Sequence, residues 1–163
     1  MMNAMTHEQV LAALRAANVV AQRSLQQGHH PFGAVLIGPQ GDRVWLEQGN
    51  VDTVNHAEAV LARAAAARWD AATLWACTLV STVEPCAMCA GTQYWAHIGR
   101  LVYGMSETRL LSITGNHPQN ATLNLPCRQV FAAGQKTVEI IGPVPEVEEE
   151  IAALHRDFWR QRS

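Results

Sequence analysis

One histidine, one glutamate and two cysteines dominate the chemistry available to this chain. His56-Ala57-Glu58 stands upstream of Pro85-Cys86-Ala87-Met88-Cys89. An imidazole and two thiols at C-x-x-C spacing supply three ligands for a zinc ion, and the fourth tetrahedral position then stays open for water, as in catalytic rather than structural sites. Zinc lowers the pKa of such a water to about 7, and a carboxylate two residues from the histidine is the proton carrier such a site needs. Two alternatives stand beside this reading. A redox dithiol explains C-x-x-C but not the upstream H-x-E. A structural zinc needs a fourth protein ligand, from Cys77, Cys127 or a spare histidine.

Geometry constrains the elements that carry these residues. Cys86 and Cys89, three apart, point from one face of a helix, and its first turn favours thiolates because unpaired N–H groups gather there. His56 and Glu58 diverge by about 200° on a regular helix. Both face one pocket only if the helix begins within the motif. Two helix N-termini aimed at the metal are therefore expected.

The rest of the chain reads as one α/β domain spanning residues 1–163. Thr6-His7-Glu8-Gln9 is a capping box, followed by Val10, Leu14, Ala17, Ala21 and Leu25 at helical spacing as far as about Gln27, with Gly28 as the stop. Phe32–Ile37 and Val44–Gln48 read as an antiparallel hairpin around Gly38-Pro39-Gln40-Gly41-Asp42. An alanine-rich helix runs from His56 to about Trp69, an apolar strand from Leu74 to Val83, and a second helix from Cys86 to His97. Leu101–Tyr103 and Thr137–Ile141 are short strands. The strand–helix–strand alternation implies parallel neighbours. Ser106–Pro126, with Gly115, Asn116, Pro118, Asn120 and Asn124, reads as a long functional loop, and a last helix follows Pro145.

Net charge is −2, with one lysine, Lys136, among twelve basic residues. Phosphate-driven binding wants clustered Lys and Arg. The one cluster, Arg156, Arg160 and Arg162, lies where a final helical turn uses arginines against its dipole. The balance leans towards a small-molecule substrate and leaves RNA open. No apolar run is long enough to span a membrane, the N-terminus has no signal-peptide pattern, and four cysteines suit a reducing compartment, so a cytoplasmic protein is expected.

H-x-E followed by P-C-x-x-C is the signature of zinc nucleobase deaminases. The chain resembles the cytidine deaminase-like superfamily on Phe32-Gly33-Ala34-Val35-Leu36, Gly49-Asn50, His56-Ala57-Glu58, Glu84 to Gly91 and Ile98 to Gly104. It is most similar to the branch of guanine deaminases, cytosine deaminases and tRNA adenosine deaminases. The resemblance implies a three-layer α-β-α fold with a central five-stranded mixed sheet, usually as a homodimer. It implies a Zn2+ held by His56, Cys86 and Cys89, with Glu58 as the catalytic residue. Asn50 and the backbone N–H of Ala57 would bind the substrate ring, with Phe32 near it and Trp159 covering it.

The function implied is hydrolytic deamination of a free base, guanine favoured: hydroxide attacks the ring carbon that bears the amine, and ammonia leaves. The segment Gly91-Thr92-Gln93-Tyr94-Trp95-Ala96 favours guanine deaminases, with a core stripe as the other reading. Ser106-Glu107-Thr108-Arg109 departs from them, because it lacks their Phe-Asp-Asp-like run and leaves Glu107 as the nearest substitute. A tRNA adenosine deaminase, a cytosine or nucleoside deaminase, and a non-catalytic zinc module are the alternatives. Glu58 argues against the last. His29, His30 and His117 fall in expected loops, with a surface position as the first reading and the pocket lining as the other; Cys127 reads as an inert thiol, with an approach to the site as the other reading.

Overall fold

The fold is taken from a computed structural model that describes residues 5–115 and 117–161. Asn116, Arg162 and the first four residues, on which part of the reading above fell, lie outside the described residues. Five strands form one mixed sheet in the order β2-β1-β3-β4-β5. Strand β1 (Gly33–Ile37) pairs antiparallel with both β2 (Val44–Gly49) and β3 (Thr78–Val83). β3, β4 (Arg100–Met105) and β5 (Glu139–Ile141) run parallel. The expected hairpin and the β3–β4 parallel pair are both present. β2 and β3 are not neighbours, because β1 inserts between them.

Alternation along the strands builds a core on each face. Val35, Ile37, Val80 and Val102 pack with α1 (His7–Gln26) and α7 (Pro145–Gln161). Ala34, Leu36, Leu79 and Leu101 pack with α2 (Ala57–Arg68) and α4 (Ala87–Trp95). The result is the three-layer α-β-α arrangement. Gly33 opens β1 so close to α1 that a Cβ there would lie 2.3 Å from the Ala17 carbonyl oxygen. At the helix's own start, Thr6 and Gln9 cap each other reciprocally, and Gly28 after its end takes a positive φ of 84°.

Two expectations fail. The apolar run assigned to one strand from Leu74 splits into a short helix α3 (Ala71–Trp75) and β3. Asp70 accepts a hydrogen bond from the Thr73 N–H at 2.8 Å and starts that helix, and buried Leu74 belongs to it. Apolar character alone does not separate a buried strand from a buried helical turn. Within the expected loop, α5 (Glu107–Thr114) forms behind Ser106, whose hydroxyl accepts from the Arg109 N–H at 3.0 Å, and buried Leu110 anchors it. A short α6 (Cys127–Ala132) follows.

The C-terminal helix carries a fully buried imidazole. His155 is 0% exposed and its Nδ1 accepts from Trp159 Nε1 at 3.0 Å. Burial pushes its pKa from 6.5 down to about 3. The unfolded imidazole takes up a proton near pH 6.5, and the folded one only near pH 3. Between those values the unfolded chain holds the extra proton, so stability is full above the window and falls as pH drops through it, by up to ~1.4 kcal/mol per pH unit. Urea titrations between pH 6.5 and 4.5 should show a steeper loss for the parent protein than for His155→Gln. Equal slopes would mean that the fold tolerates the charged ring.

Candidate active site

The two motifs meet where α2 and α4 begin. His56 is the N-cap of α2 and Cys86 the N-cap of α4, both with extended backbone and neither using its side chain to cap its helix. Their side chains are thereby free to turn to a common point. Cys89, one turn into α4, joins them from the same face. His56 Nδ1 lies 3.5 Å from each thiol sulfur, and the sulfurs are 3.7 Å apart. A tetrahedral zinc with bonds of ~2.3 Å to sulfur and ~2.05 Å to nitrogen requires separations of ~3.6 Å and ~3.8 Å respectively. The triangle fits zinc.

The other imidazole nitrogen supports the same reading. His56 Nε2 donates to the Thr53 carbonyl at 2.9 Å, which orients the ring so that Nδ1 is the nitrogen facing the cysteines and the one that would bind a metal. Asp52 shapes the turn that presents Thr53, its Oδ1 accepting from the N–H groups of Val54 at 2.9 Å and Asn55 at 2.6 Å. Among the described residues, His56, Cys86 and Cys89 are the one group of this kind that could hold a metal. Cys77 and Cys127 lie outside it, as a three-ligand site with an open position requires.

Charge at the site follows from burial and contact. The Cys86 thiol is drawn down to about 4, first by the hydrogen bond from the Cys89 thiol and then, against the cost of burial, by His56. Cys89 keeps its proton for the complementary reason, since it gives the hydrogen bond and is buried. Glu58, on the first turn of α2 and 6% exposed, is pushed up to about 7 by burial and next by the Cys86 charge. A carboxyl that titrates near neutrality both takes and gives a proton there.

Beside the triangle lies a cavity of about 450 Å³. His30, Phe32, Asn50, Glu58, Glu84 and Glu107 line it, and residues 118–123 form a wall. Asn50 is 6% exposed, and its Nδ2 donates to the Asp52 carbonyl at 3.2 Å, which fixes the amide beside the cavity. Ala57 is the buried first residue of α2, between His56 and Glu58. Trp159 does not line the cavity. It is 2% exposed and stands one layer back, its ring 4.8 Å from that of His30 and 5.0 Å from that of His117.

Three further placements differ from expectation. His30 belongs to the cavity lining, and His117 is buried at 5% exposure rather than on the surface. Trp95 is 76% exposed and so leaves the core stripe, which Tyr94 and Ala96 do join, and neither Tyr94 nor Trp95 lines the cavity. Glu84 was given no role by sequence reasoning, and within the 106–126 stretch, which was read as functional, residues 118–123 were not singled out as the part that faces the site. The available signal for Glu84 was a lone carboxylate closing an apolar strand immediately before Pro85-Cys86.

Comparison with known proteins agrees with this geometry. A family model described as the cytidine and deoxycytidylate deaminase zinc-binding region matches residues 7–105, a span that contains both motifs. A probable cytosine deaminase of Schizosaccharomyces pombe is 33% identical over 157 residues, 93% of each chain. A guanine deaminase of Bacillus subtilis is 38% identical over 82 residues, 48% of this chain and 52% of that one. In fold, a guanine deaminase from Nitrosomonas europaea superposes with a TM-score of 0.72 at 18% identity, over 96% of this chain and 86% of its own. The chain belongs to the cytidine and deoxycytidylate deaminase zinc-binding family, and it is a zinc-dependent hydrolytic deaminase.

Proposed function

We propose that the protein deaminates a free nucleobase, with guanine as the first substrate to test. The observation that carries this reading is the charge of the cavity. Asp52, Glu58, Glu84 and Glu107 line it, and no lysine or arginine does so among the described residues. A nucleotide or an RNA strand brings phosphates that need cationic partners. An uncharged base does not. Arg156, from the C-terminal basic cluster, is paired with Glu149 of its own helix, which fits a helix-stabilising role better than an RNA surface.

The cavity volume falls within the ordinary range of roughly 300–1,000 Å³ for small-molecule sites and leaves room for a two-ring base. Glu107 supports a purine further. It is 7% exposed, and burial, reinforced by the charges of Glu58 and Cys86, pushes it up to about 8. A carboxyl in that state offers an O–H donor beside a carbonyl acceptor, which matches a ring nitrogen next to a ring N–H on the edge of a base. Cytosine is the second reading, because the similarity to a probable cytosine deaminase extends over nearly the whole chain.

In this reading His56, Cys86 and Cys89 hold zinc, which when bound supplies a Lewis acid able to make water a nucleophile near neutral pH. Asn50 and the Ala57 N–H orient the ring. Phe32 and His30 give it an aromatic wall, His30 being seated against Trp159. Glu58 takes a proton from the attacking water and passes it to the neighbouring ring nitrogen; it then takes the second proton, from the added hydroxyl, and delivers it to the departing amine as the C–N bond breaks. Water and the aminated base become the oxo base and ammonia.

Ammonia release should be measured from guanine, cytosine, their nucleosides, their monophosphates and a tRNA stem-loop. Free bases are expected to exceed nucleotides at least tenfold in kcat/KM. The rate should also change little between ~50 and ~200 mM salt, where an RNA site with several phosphate contacts loses orders of magnitude in affinity. Preference for a nucleotide or the stem-loop would overturn the proposal.

A further inference from the structure

We infer that Glu84 is a positioning residue that sets where Glu107 stands in the cavity by tying both ends of the 107–127 segment to the end of β3. The inference rests on the reading of Glu107 as a base-contacting residue. Glu84 is 6% exposed and lines the cavity, yet both of its oxygens are engaged by backbone. Oε1 accepts from the Glu107 N–H at 3.0 Å, and Oε2 accepts from the Cys127 N–H at 2.7 Å. These are the first residues of α5 and α6. The N–H groups of a helix's first turn have no partner within the helix, so one carboxylate supplies an acceptor that each helix lacks.

The backbone of Glu84 is fixed as well. Its N–H donates to the Met105 carbonyl at 2.8 Å, and Val83, its neighbour, is in register with Met105 in the sheet. It directly precedes Pro85-Cys86, so the strand end that delivers Cys86 also delivers this carboxylate. Between the two bonded N–H groups lie α5 and the 118–123 wall. Clamping the ends of a segment of about 20 residues removes the entropy that would let its walls wander. Glu84 thus holds the recognition side of the cavity in register with the side that holds the metal ligands, without itself spending an oxygen on the substrate.

Glu84→Gln keeps the shape but sets an NH2 donor against one of the two N–H groups. Because a displacement of about 1 Å can cost a hundredfold in rate, kcat/KM for the base is expected to fall roughly 10- to 100-fold. Zinc content should not change. Amide exchange in peptides containing Glu107 and Cys127 should accelerate, a readout that needs no substrate. The deciding measurement is a double-mutant cycle. If Glu84 acts through Glu107, adding Glu84→Gln to Glu107→Gln costs less than threefold further, and Glu84→Asp, which reaches one amide, is intermediate in the parent background.

Unchanged exchange at the two helix starts would overturn the inference. So would loss of zinc in Glu84→Gln, or the same fold-loss in both backgrounds, each of which would mark a role other than placing Glu107. Failure of the base-deaminase reading is seen separately, as an absence of base turnover by the parent protein.

Discussion

Glu58→Gln lowers the rate of ammonia release by about a thousandfold while zinc content and melting temperature stay close to those of the parent. General acid–base catalysis is worth roughly 10²–10⁴-fold. Here a single carboxyl is asked to move every proton: from water, to the ring nitrogen and to the leaving amine. Its burial at 6% exposure, beside two thiols, pushes it up to about 7, which makes it usable in both directions near neutral pH. The amide keeps the volume and can neither accept nor release a proton. None of the three atoms that form the metal triangle is altered. Steady-state kinetics with metal analysis would check this, and a variant turning over at the parental rate would sink the assignment of Glu58.

The second large effect is loss of the metal. Cys89→Ser replaces a fully buried sulfur at one corner of the triangle with an oxygen that binds zinc poorly. Zinc should drop from one per chain to a small fraction, and activity should fall to background. Stripping the parent with a chelator should have the same consequence, reversed by added zinc in the parent and not in the variant. Stability should follow occupancy, since free zinc at about a thousand times its dissociation constant stabilises the folded state by ~4 kcal/mol. Retention of stoichiometric zinc by Cys89→Ser would show that the cysteine is not a ligand.

The metal triangle was legible in the sequence because each of its two halves is a local motif and the H-x-E with P-C-x-x-C signature joins them, although His56 and Cys86 stand 30 residues apart. Cys86 and Cys89 are one helical turn apart, and the 200° divergence of His56 from Glu58 demanded a helix start between them. That start is where α2 begins. The antiparallel hairpin was legible from its turn residues. The partners that shape the cavity were not. Glu84 meets Glu107 across 23 residues and Cys127 across 43, and Trp159 reaches His30 from the opposite end of the chain. Such pairings are decided by how layers stack, which no single segment encodes. The 106–126 stretch misled for a related reason. Its asparagines and prolines suggested loop throughout, while Ser106 as a cap and buried Leu110 were enough to form α5.

All six residues of the 118–123 wall are exposed or half-buried, and none belongs to either core cluster. The residues that would carry the reaction sit instead at helix starts locked against the sheet. Substitutions in the wall are therefore expected to cost little in folding and to leave the metal ligands in place, so changes of substrate are expected to be tolerated there. A library randomised over those six positions is the natural route to retargeting the enzyme, and it leaves the reactive half of the molecule untouched.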